Sequence, residues 1–233
     1  MGFALGAALL LALAGGEIAL NSSRDPKVTI GGHDEVYYYR RATKEDALQL
    51  GEALKATGFF NGRGTNVLLW EGGGPTTVSF VVADGAWDHP SAISNFTEIG
   101  RRIAHSVGGF PIQVHLIDSG RAIRKKMTVG KATIGNKDIL YYFGTATAAN
   151  AQALGQALQS AGYFADRGFT VALLKGEGTV ISFVVQEGSW DNPDVAATLD
   201  RLVRQVAVSA GGLPIELRLL NRDMEIKKEF AVR

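Results

Sequence analysis

Two kinds of apolar periodicity alternate along this chain. Residues 36–40 and 78–82 are short β-branched and aromatic runs bounded by turn residues, which predicts strands. Between them Ala47, Leu50 and Leu54 recur at helical spacing, which predicts a helix that is capped by Thr43 and stopped by Gly58. A second helix is predicted from Pro90 to about Val107. Four further strand predictions complete the pattern, at residues 27–31, 67–70, 112–117 and 123–129, and the strands at 67–70 and 78–82 form a hairpin.

This whole pattern occurs twice. The stretch SFVVADGAWDHP at residues 79–90 returns as SFVVQEGSWDNP at residues 182–193. Matching residues lie 104 positions apart from Lys27 and Lys131 onward, and 103 apart after the loop at residues 72–75 loses one residue in the second copy. A period near 100 residues indicates a duplicated domain, since solenoid repeats run at about 20–50 residues. We therefore predict an N-terminal segment at 1–22 and two repeats at 27–129 and 131–233.

Each repeat has the core order β-α-β-β-α-β, with extra strands before and after it. This order is typical of the split βαβ, ferredoxin-like arrangement, in which both helices cover one face of an antiparallel sheet. The predicted fold class is α+β, a tandem duplication of this module behind an N-terminal apolar helix. The order of the strands within the sheet does not follow from the sequence.

The repeated Trp-Asp-x-Pro motif has a structural explanation. Asp88 and Asp191 are predicted to cap the second helix of each repeat. Pro90 and Pro193 are placed in its first turn, where the backbone N–H that proline lacks is not needed for a helical hydrogen bond. We prefer this explanation to a binding role for the tryptophans.

Residues 3–20 are almost free of charge. As a helix these eighteen residues would span about 27 Å, the lower limit for crossing a bilayer. An uncleaved anchor is the first interpretation, a signal peptide cleaved near Gly15 the second, and a buried helix the third. We expect attachment to the lipid bilayer through residues 3–20, with the extracytoplasmic face slightly favoured, or a secreted or periplasmic protein after cleavage.

Composition excludes several kinds of chemistry. The net charge of +1 gives no reason to expect a nucleic-acid partner, and the absence of cysteine excludes disulfides and thiolate sites. The histidines do not recur in the second copy and lack the spacing of a metal site. We therefore predict no catalytic residue, no metal and no cofactor. A hydrolase built on the unrepeated pair Asp88-His89 ranks last.

The remaining candidates are aromatic and basic residues suited to an interaction surface. Tyrosines at 37–39 must occupy both faces of a strand, and tyrosine is enriched at interfaces. Repeated arginines precede glycine in a loop, where they suit carboxylates or carbonyls, and repeated lysines sit on the last strand, where edge protection is the simpler explanation. The candidate interaction residues are Tyr37, Tyr39, Trp70, Phe143, Arg63, Arg167, Lys125 and Lys228.

These observations favour a protein that binds rather than reacts. The leading hypothesis is a non-enzymatic, membrane-associated binding or assembly protein, whose two pseudo-symmetric units dock onto a partner protein or membrane complex. The alternative is a small-ligand sensor or carrier with its site between the two units, lined by Arg63 or Arg167.

Overall fold

A computed structural model describes residues 25–233, so the predicted N-terminal helix and membrane segment at 1–22 lie outside the described residues. The described residues form an α+β fold with four α-helices and the eleven strands of a mixed sheet. Among these helices, none combines the length and the apolar character needed to cross a bilayer. The helices are α1 (Lys44–Ala56), α2 (Pro90–Ile103), α3 (Ala148–Ser160) and α4 (Pro193–Ala210). The strands are β1 (Lys27–Ile30), β2 (Asp34–Arg40), β3 (Asn66–Glu71), β4 (Thr77–Val81), β5 (Ile112–Ile117), β6 (Ile123–Ile134), β7 (Asp138–Gly144), β8 (Thr170–Lys175), β9 (Thr179–Val184), β10 (Ile215–Leu220) and β11 (Ile226–Val232).

The chain divides into two compact units. The first holds the residues up to 108 together with 114–126, and the second holds 109–113 together with 127–233. The border between repeats that the sequence predicts, from Val129 to Lys131, lies inside the continuous strand β6.

Both first helices begin as the sequence predicts. Thr43 accepts a hydrogen bond from the Asp46 N–H while the Asp46 carboxylate accepts one from the Thr43 N–H, which is a capping box. Thr147 and Asn150 form the same pair in the second repeat. Two of the orphan donors at each helix start are satisfied in this way.

The caps of the second helices differ from the prediction. Asp88 and Asp191 lie in short 3-10 turns that precede the helices, and the N-cap residues are His89 and Asn192. Asn192 accepts a hydrogen bond from the Asp194 N–H at 2.9 Å, whereas the His89 side chain caps nothing. The extra 3-10 turn moves each cap one residue further along the chain.

The structure does not confirm the ferredoxin-like arrangement. A split βαβ unit places another strand between the two parallel strands, but β2 pairs directly with β3 in parallel, and β7 pairs directly with β8. The hairpin strands β3 and β4 are antiparallel, and β9 and β10 are parallel again. Neighbouring strands therefore follow chain order within each unit, and the sheet is mixed instead of antiparallel.

In the first unit the helices cover one face of the sheet. α1 turns its buried residues, among them Leu50 and Leu54, toward the sheet, and α2 contributes Phe96, whose ring lies 5.0 Å from that of Phe80. Gly51 is buried against Ile30, and a Cβ atom at this position would overlap the Ile30 side chain. A glycine inside a helix costs about 1 kcal/mol relative to alanine, so close helix-to-strand packing explains its presence.

The second unit repeats this core with the same residue types. Leu154 and Leu158 of α3 are fully buried with Phe183 of β9, and Gly155 packs against Ile134 in the way that Gly51 packs against Ile30. Because side chains alternate across a strand, residues next to these core positions point to the opposite sheet face.

Candidate functional site

A buried aspartate organises the loop that precedes β3. Asp34 is 1% exposed, and its carboxylate accepts hydrogen bonds from the N–H groups of Gly62, Gly64 and Thr65 at 2.7, 3.0 and 2.8 Å. Three charge-assisted bonds to backbone donors satisfy the buried carboxylate and fix the course of this loop.

The second repeat builds the same loop before β8. Asp138, also 1% exposed, accepts from the N–H groups of Asp166 and Phe169, each at 2.8 Å. The loop carries an additional carboxylate, that of Asp166, which accepts the Asn136 N–H at 2.6 Å. Asp166 takes the place that Gly62 holds in the first repeat.

These two loops, which we call the arginine loops (residues 60–65 and 164–169), display the predicted candidates Arg63 and Arg167. Both side chains are exposed, and neither makes a hydrogen bond or an ion pair with any residue between 25 and 233. The turn that carries His33 adjoins the first loop, since a Cβ on Gly64 would lie 3.9 Å from the His33 carbonyl oxygen. Lys137 is the equivalent of His33 in the second repeat.

The first unit also carries an aromatic face, which we define as Tyr37, Tyr39, Leu68, Trp70 and Ile117, on the sheet side opposite α1 and α2. Tyr37, Leu68 and Ile117 are buried there, with Tyr39 packed against them. The ring of Tyr39 stacks on that of Trp70 with 5.0 Å between centroids, and Trp70 remains 38% exposed. A partner would therefore reach Trp70 and Tyr39, whereas Tyr37 supports them from below.

Polar contacts hold Tyr39 in place. Its hydroxyl donates to the Asp25 carboxylate at 3.1 Å and accepts from Arg121 at 3.2 Å, and Arg121 and Asp25 form an ion pair at 3.3 Å. Burial raises the pKa of Tyr39 and the Arg121 charge lowers it. Burial is the larger effect, so the pKa of Tyr39 is raised. The hydroxyl therefore stays protonated and the ring is fixed under Trp70.

Tyr37 is held in the same manner. Its hydroxyl donates to Glu35 at 2.6 Å, and burial together with this carboxylate raises the pKa of Tyr37. The guanidinium of Arg121 lies 5.7 Å from the centre of the Tyr37 ring and the ammonium of Lys27 lies 5.5 Å from it. Both contacts are at cation–π distance.

Arg40, beside Trp70, has an unfavourable backbone conformation. Its φ is 66°, in the left-handed region that favours glycine, and its guanidinium lies 5.7 Å from the Trp70 ring centre. The equivalent residue in the second repeat is Gly144, with φ of 72°. No carboxylate of the described residues pairs with Arg40.

The second unit has no counterpart of this exposed cluster at the equivalent positions. Leu174 replaces Trp70, Gly144 replaces Arg40, and Phe143, which replaces Tyr39, is only 7% exposed. The Phe143 ring stacks beside Tyr141 at 6.2 Å. Phe143 is therefore placed as a packing residue and not as a contact residue.

The repeated lysines lie apart from these features. Lys125 is half-buried in β6, and Lys228 is exposed in β11, where it borders a shallow groove toward α4 that also includes Phe230 and Ala197. A register shift in the pairing of β10 with β11 falls beside Lys228. Charged residues and irregular pairing both protect a sheet edge from other strands.

The repeated tryptophans have contacts that explain them. The Arg124 guanidinium lies 5.4 Å from the Trp87 ring centre and is paired with Asp118 at 2.6 Å. In the second repeat Lys227 lies 5.9 Å from the centre of Trp190. These contacts link the start of each second helix to the start of each last strand, which supports the structural explanation of the motif.

No group of three or more histidine, aspartate or glutamate side chains among residues 25–233 is arranged to hold a metal ion. His115 in β5 is half-buried, and burial, with a smaller contribution from Lys126, lowers the pKa of its imidazole.

Sequence reasoning missed the residues that organise both sites. Asp34 and Asp138 anchor the arginine loops. Each aspartate recurs together with the Arg-Gly sequence of its loop, and this joint recurrence could have indicated the anchoring role. Arg40 and Arg121 complete the aromatic face, but nothing in their local sequence indicates this role.

No family model matches this chain, and no curated protein matches it at a significant level. The assignment of a function therefore depends on the geometry of the aromatic face and the arginine loops.

Proposed function

We propose that this chain is a non-enzymatic binding or assembly protein whose first unit docks a partner protein through the aromatic face. The observation that supports it best is Arg40, a non-glycine residue in a left-handed conformation, held against an exposed Trp70. A residue of this kind in that conformation costs about 1 kcal/mol or more, and Gly144 occupies the equivalent place without that cost. A strained residue beside an exposed aromatic ring is a reason to look for a partner there.

The types of side chain in this patch support the same proposal. Tryptophan, tyrosine and arginine are the residues enriched at the centres of protein interfaces, where a few of them carry most of the binding energy. The stack of Trp70 on Tyr39, with the Tyr39 hydroxyl held by Asp25 and Arg121, is already ordered before binding. Less conformational entropy is then lost when a partner binds this surface than when it binds a mobile one.

The chemistry of the patch also limits the partner. Trp70 offers a flat apolar ring, and Arg40 offers a guanidinium for which the described residues provide no carboxylate. We infer a protein segment that places an apolar side chain on Trp70 and a carboxylate on Arg40. Membrane association stays part of the proposal and depends on residues 3–20, outside the described residues.

The test compares full-length Trp70→Ala and Arg40→Gly with the wild type in the native host. Leu174→Ala is the matched control because it lies at the position equivalent to Trp70. Each tagged chain is crosslinked in cells, and the yield of its discrete protein adduct is measured. We expect Trp70→Ala and Arg40→Gly each to lower the yield about tenfold or more, as hot-spot truncations do, and Leu174→Ala to leave it unchanged.

Arg40→Gly separates binding from folding. Because glycine tolerates the left-handed conformation, this variant should be more stable than the wild type by about 1 kcal/mol while it binds less. Wild-type adduct yields for both Arg40→Gly and Trp70→Ala would refute the aromatic face as the docking surface.

A further inference from the structure

The two arginine loops carry a second inference, independent of the aromatic face and its partner. Most polar residues shared by the two repeats have a task within the fold. Asp34 and Asp138 anchor loops, Arg101 pairs with Glu98, and Arg204 pairs with Asp200. Arg63 and Arg167 recur as well, yet both side chains are exposed and unpaired among residues 25–233. Folding contacts in that part of the chain therefore do not account for them.

The backbone beneath each arginine is fixed. Asp34 holds the residues on both sides of Arg63, through the N–H groups of Gly62 and Gly64 at 2.7 and 3.0 Å. The N–H of Arg63 itself donates to no described group. This leaves a backbone donor and a guanidinium on one rigid support, and such preorganisation lowers the entropy lost when a ligand binds.

A basic residue type adjoins each loop. His33 lies in the turn beside the first loop, and Lys137 occupies the same position beside the second. Arginine donates two parallel hydrogen bonds to the planar or tetrahedral oxygens of carboxylate and phosphate groups, and a neighbouring cation strengthens that preference. Lys137 supplies such a cation in the turn beside the second loop, and His33 occupies the equivalent position beside the first.

We propose that each arginine loop is an oxyanion-binding site for a carboxylate or phosphate group, with Arg63 as the binding side chain in the first repeat and Arg167 in the second. Two differences between the sites concern ionisable residues: Lys137 stands where the first site has His33, and Asp166 stands where it has Gly62. The Asp166 carboxylate repels an incoming anion, so it weakens anion binding at the second loop.

Asp166 provides a variant that should gain affinity. Its φ is 58°, in the region that glycine adopts freely, and Gly62 at the equivalent position has φ of 83°. Asp166→Gly therefore removes the carboxylate without straining the backbone. We expect the second loop of this variant to bind anions about threefold or more tightly than the second loop of the wild type.

The experiment is an NMR titration of the full-length chain in neutral detergent at constant ionic strength. Sodium phosphate and sodium glutarate are the two probes, and the shifts of the arginine side-chain Nε–H signals are the readout. Saturable shifts are expected at Arg63 and Arg167. In Arg63→Gln and Arg167→Gln the backbone N–H signals of the altered loop should lose saturation, while the Nε–H signal of the arginine in the other loop keeps it. Arg222 is the control, because it is exposed, unpaired among residues 25–233 and replaced by Ser119 in the first repeat.

The two probes distinguish the source of the oxyanion. Tighter binding of phosphate assigns the loops to phosphorylated ligands, and tighter binding of glutarate assigns them to carboxylates. Linear, unsaturated shifts of the same size at Arg63, Arg167 and Arg222 would overturn the proposal, because they would indicate only diffuse attraction of anions. Unchanged affinity at Arg167 in the Asp166→Gly chain would overturn the inference that the Asp166 carboxylate weakens the second site.

Discussion

The two repeats of this chain agree wherever a residue supports the fold and differ where the first repeat exposes unusual groups. Both cap their first helix with a threonine box, and both anchor a loop with a buried aspartate. They differ at the aromatic face, where Arg40 and Trp70 have Gly144 and Leu174 as their equivalents. The comparison teaches that the shared scaffold needs neither group, so their place in the first repeat requires another explanation.

The largest expected effect tests whether the aspartate anchors are equivalent. Asp34→Ala leaves three backbone donors of its loop without their acceptor, and Asp138→Ala leaves two. A bond to a charged acceptor contributes about 1.5–3 kcal/mol, so at the lower end of this range we expect losses of unfolding free energy of about 4.5 and about 3 kcal/mol, measured by chemical denaturation. Asp34→Asn retains one acceptor oxygen and should fall between Asp34→Ala and the wild type. A greater loss for Asp138→Ala would mean that the number of bonds does not set the stability of these loops.

A smaller effect concerns the caps of α2 and α4. Asn192 accepts the Asp194 N–H, while His89 makes no such bond. His89→Asn should raise the unfolding free energy by about 0.5–1 kcal/mol, and Asn192→Ala should lower it by about 1 kcal/mol. Thermal denaturation of both variants checks this. Equal and negligible changes would show that the 3-10 turns, and not the cap side chains, stabilise the helix starts.

The smallest effect is a difference in pH dependence between His115 and its equivalent Arg218. Burial lowers the pKa of His115 in the folded chain, so the unfolded chain binds more protons below the ordinary histidine pKa of about 6.5. This contribution to stability is present above that pH and is lost as the pH falls through the lower folded value. Replacing His115 with glutamine should flatten the stability curve in this window, and Lys126→Gln should flatten it less. If the dependence of stability on pH is the same in His115→Gln as in the wild type, this prediction is contradicted.

Much of the fold was predictable because its signals are local. The two residues of the first capping box, Thr43 and Asp46, lie within four residues of each other. The glycines that end α1 and α3, Gly58 and Gly162, likewise lie within four residues of the helix ends. The order of strands was not predictable, because whether β2 lies beside β3 depends on pairing between residues about 30 positions apart. The N-caps of the second helices were predicted one residue early because a 3-10 turn has no distinct apolar period.

The candidate sites were predictable only in part. Periodicity places Tyr39 and Trp70 on strands, but their stacking requires two strands to come into register. The contact of Arg121 with the Tyr37 ring joins residues 84 positions apart in sequence. Arg63 was recognised by its recurrence, whereas its anchor Asp34 became apparent only from hydrogen bonds across 28–31 residues.

The left-handed arginine at position 40 sets two selection pressures against each other. A screen that rewards resistance to heat alone should replace Arg40 with glycine or asparagine, because both residues adopt its backbone angles more readily. A screen that rewards retention of the partner should keep the arginine and accept the less stable chain. The residue found at position 40 after such a selection would therefore show whether heat resistance or partner binding had been selected.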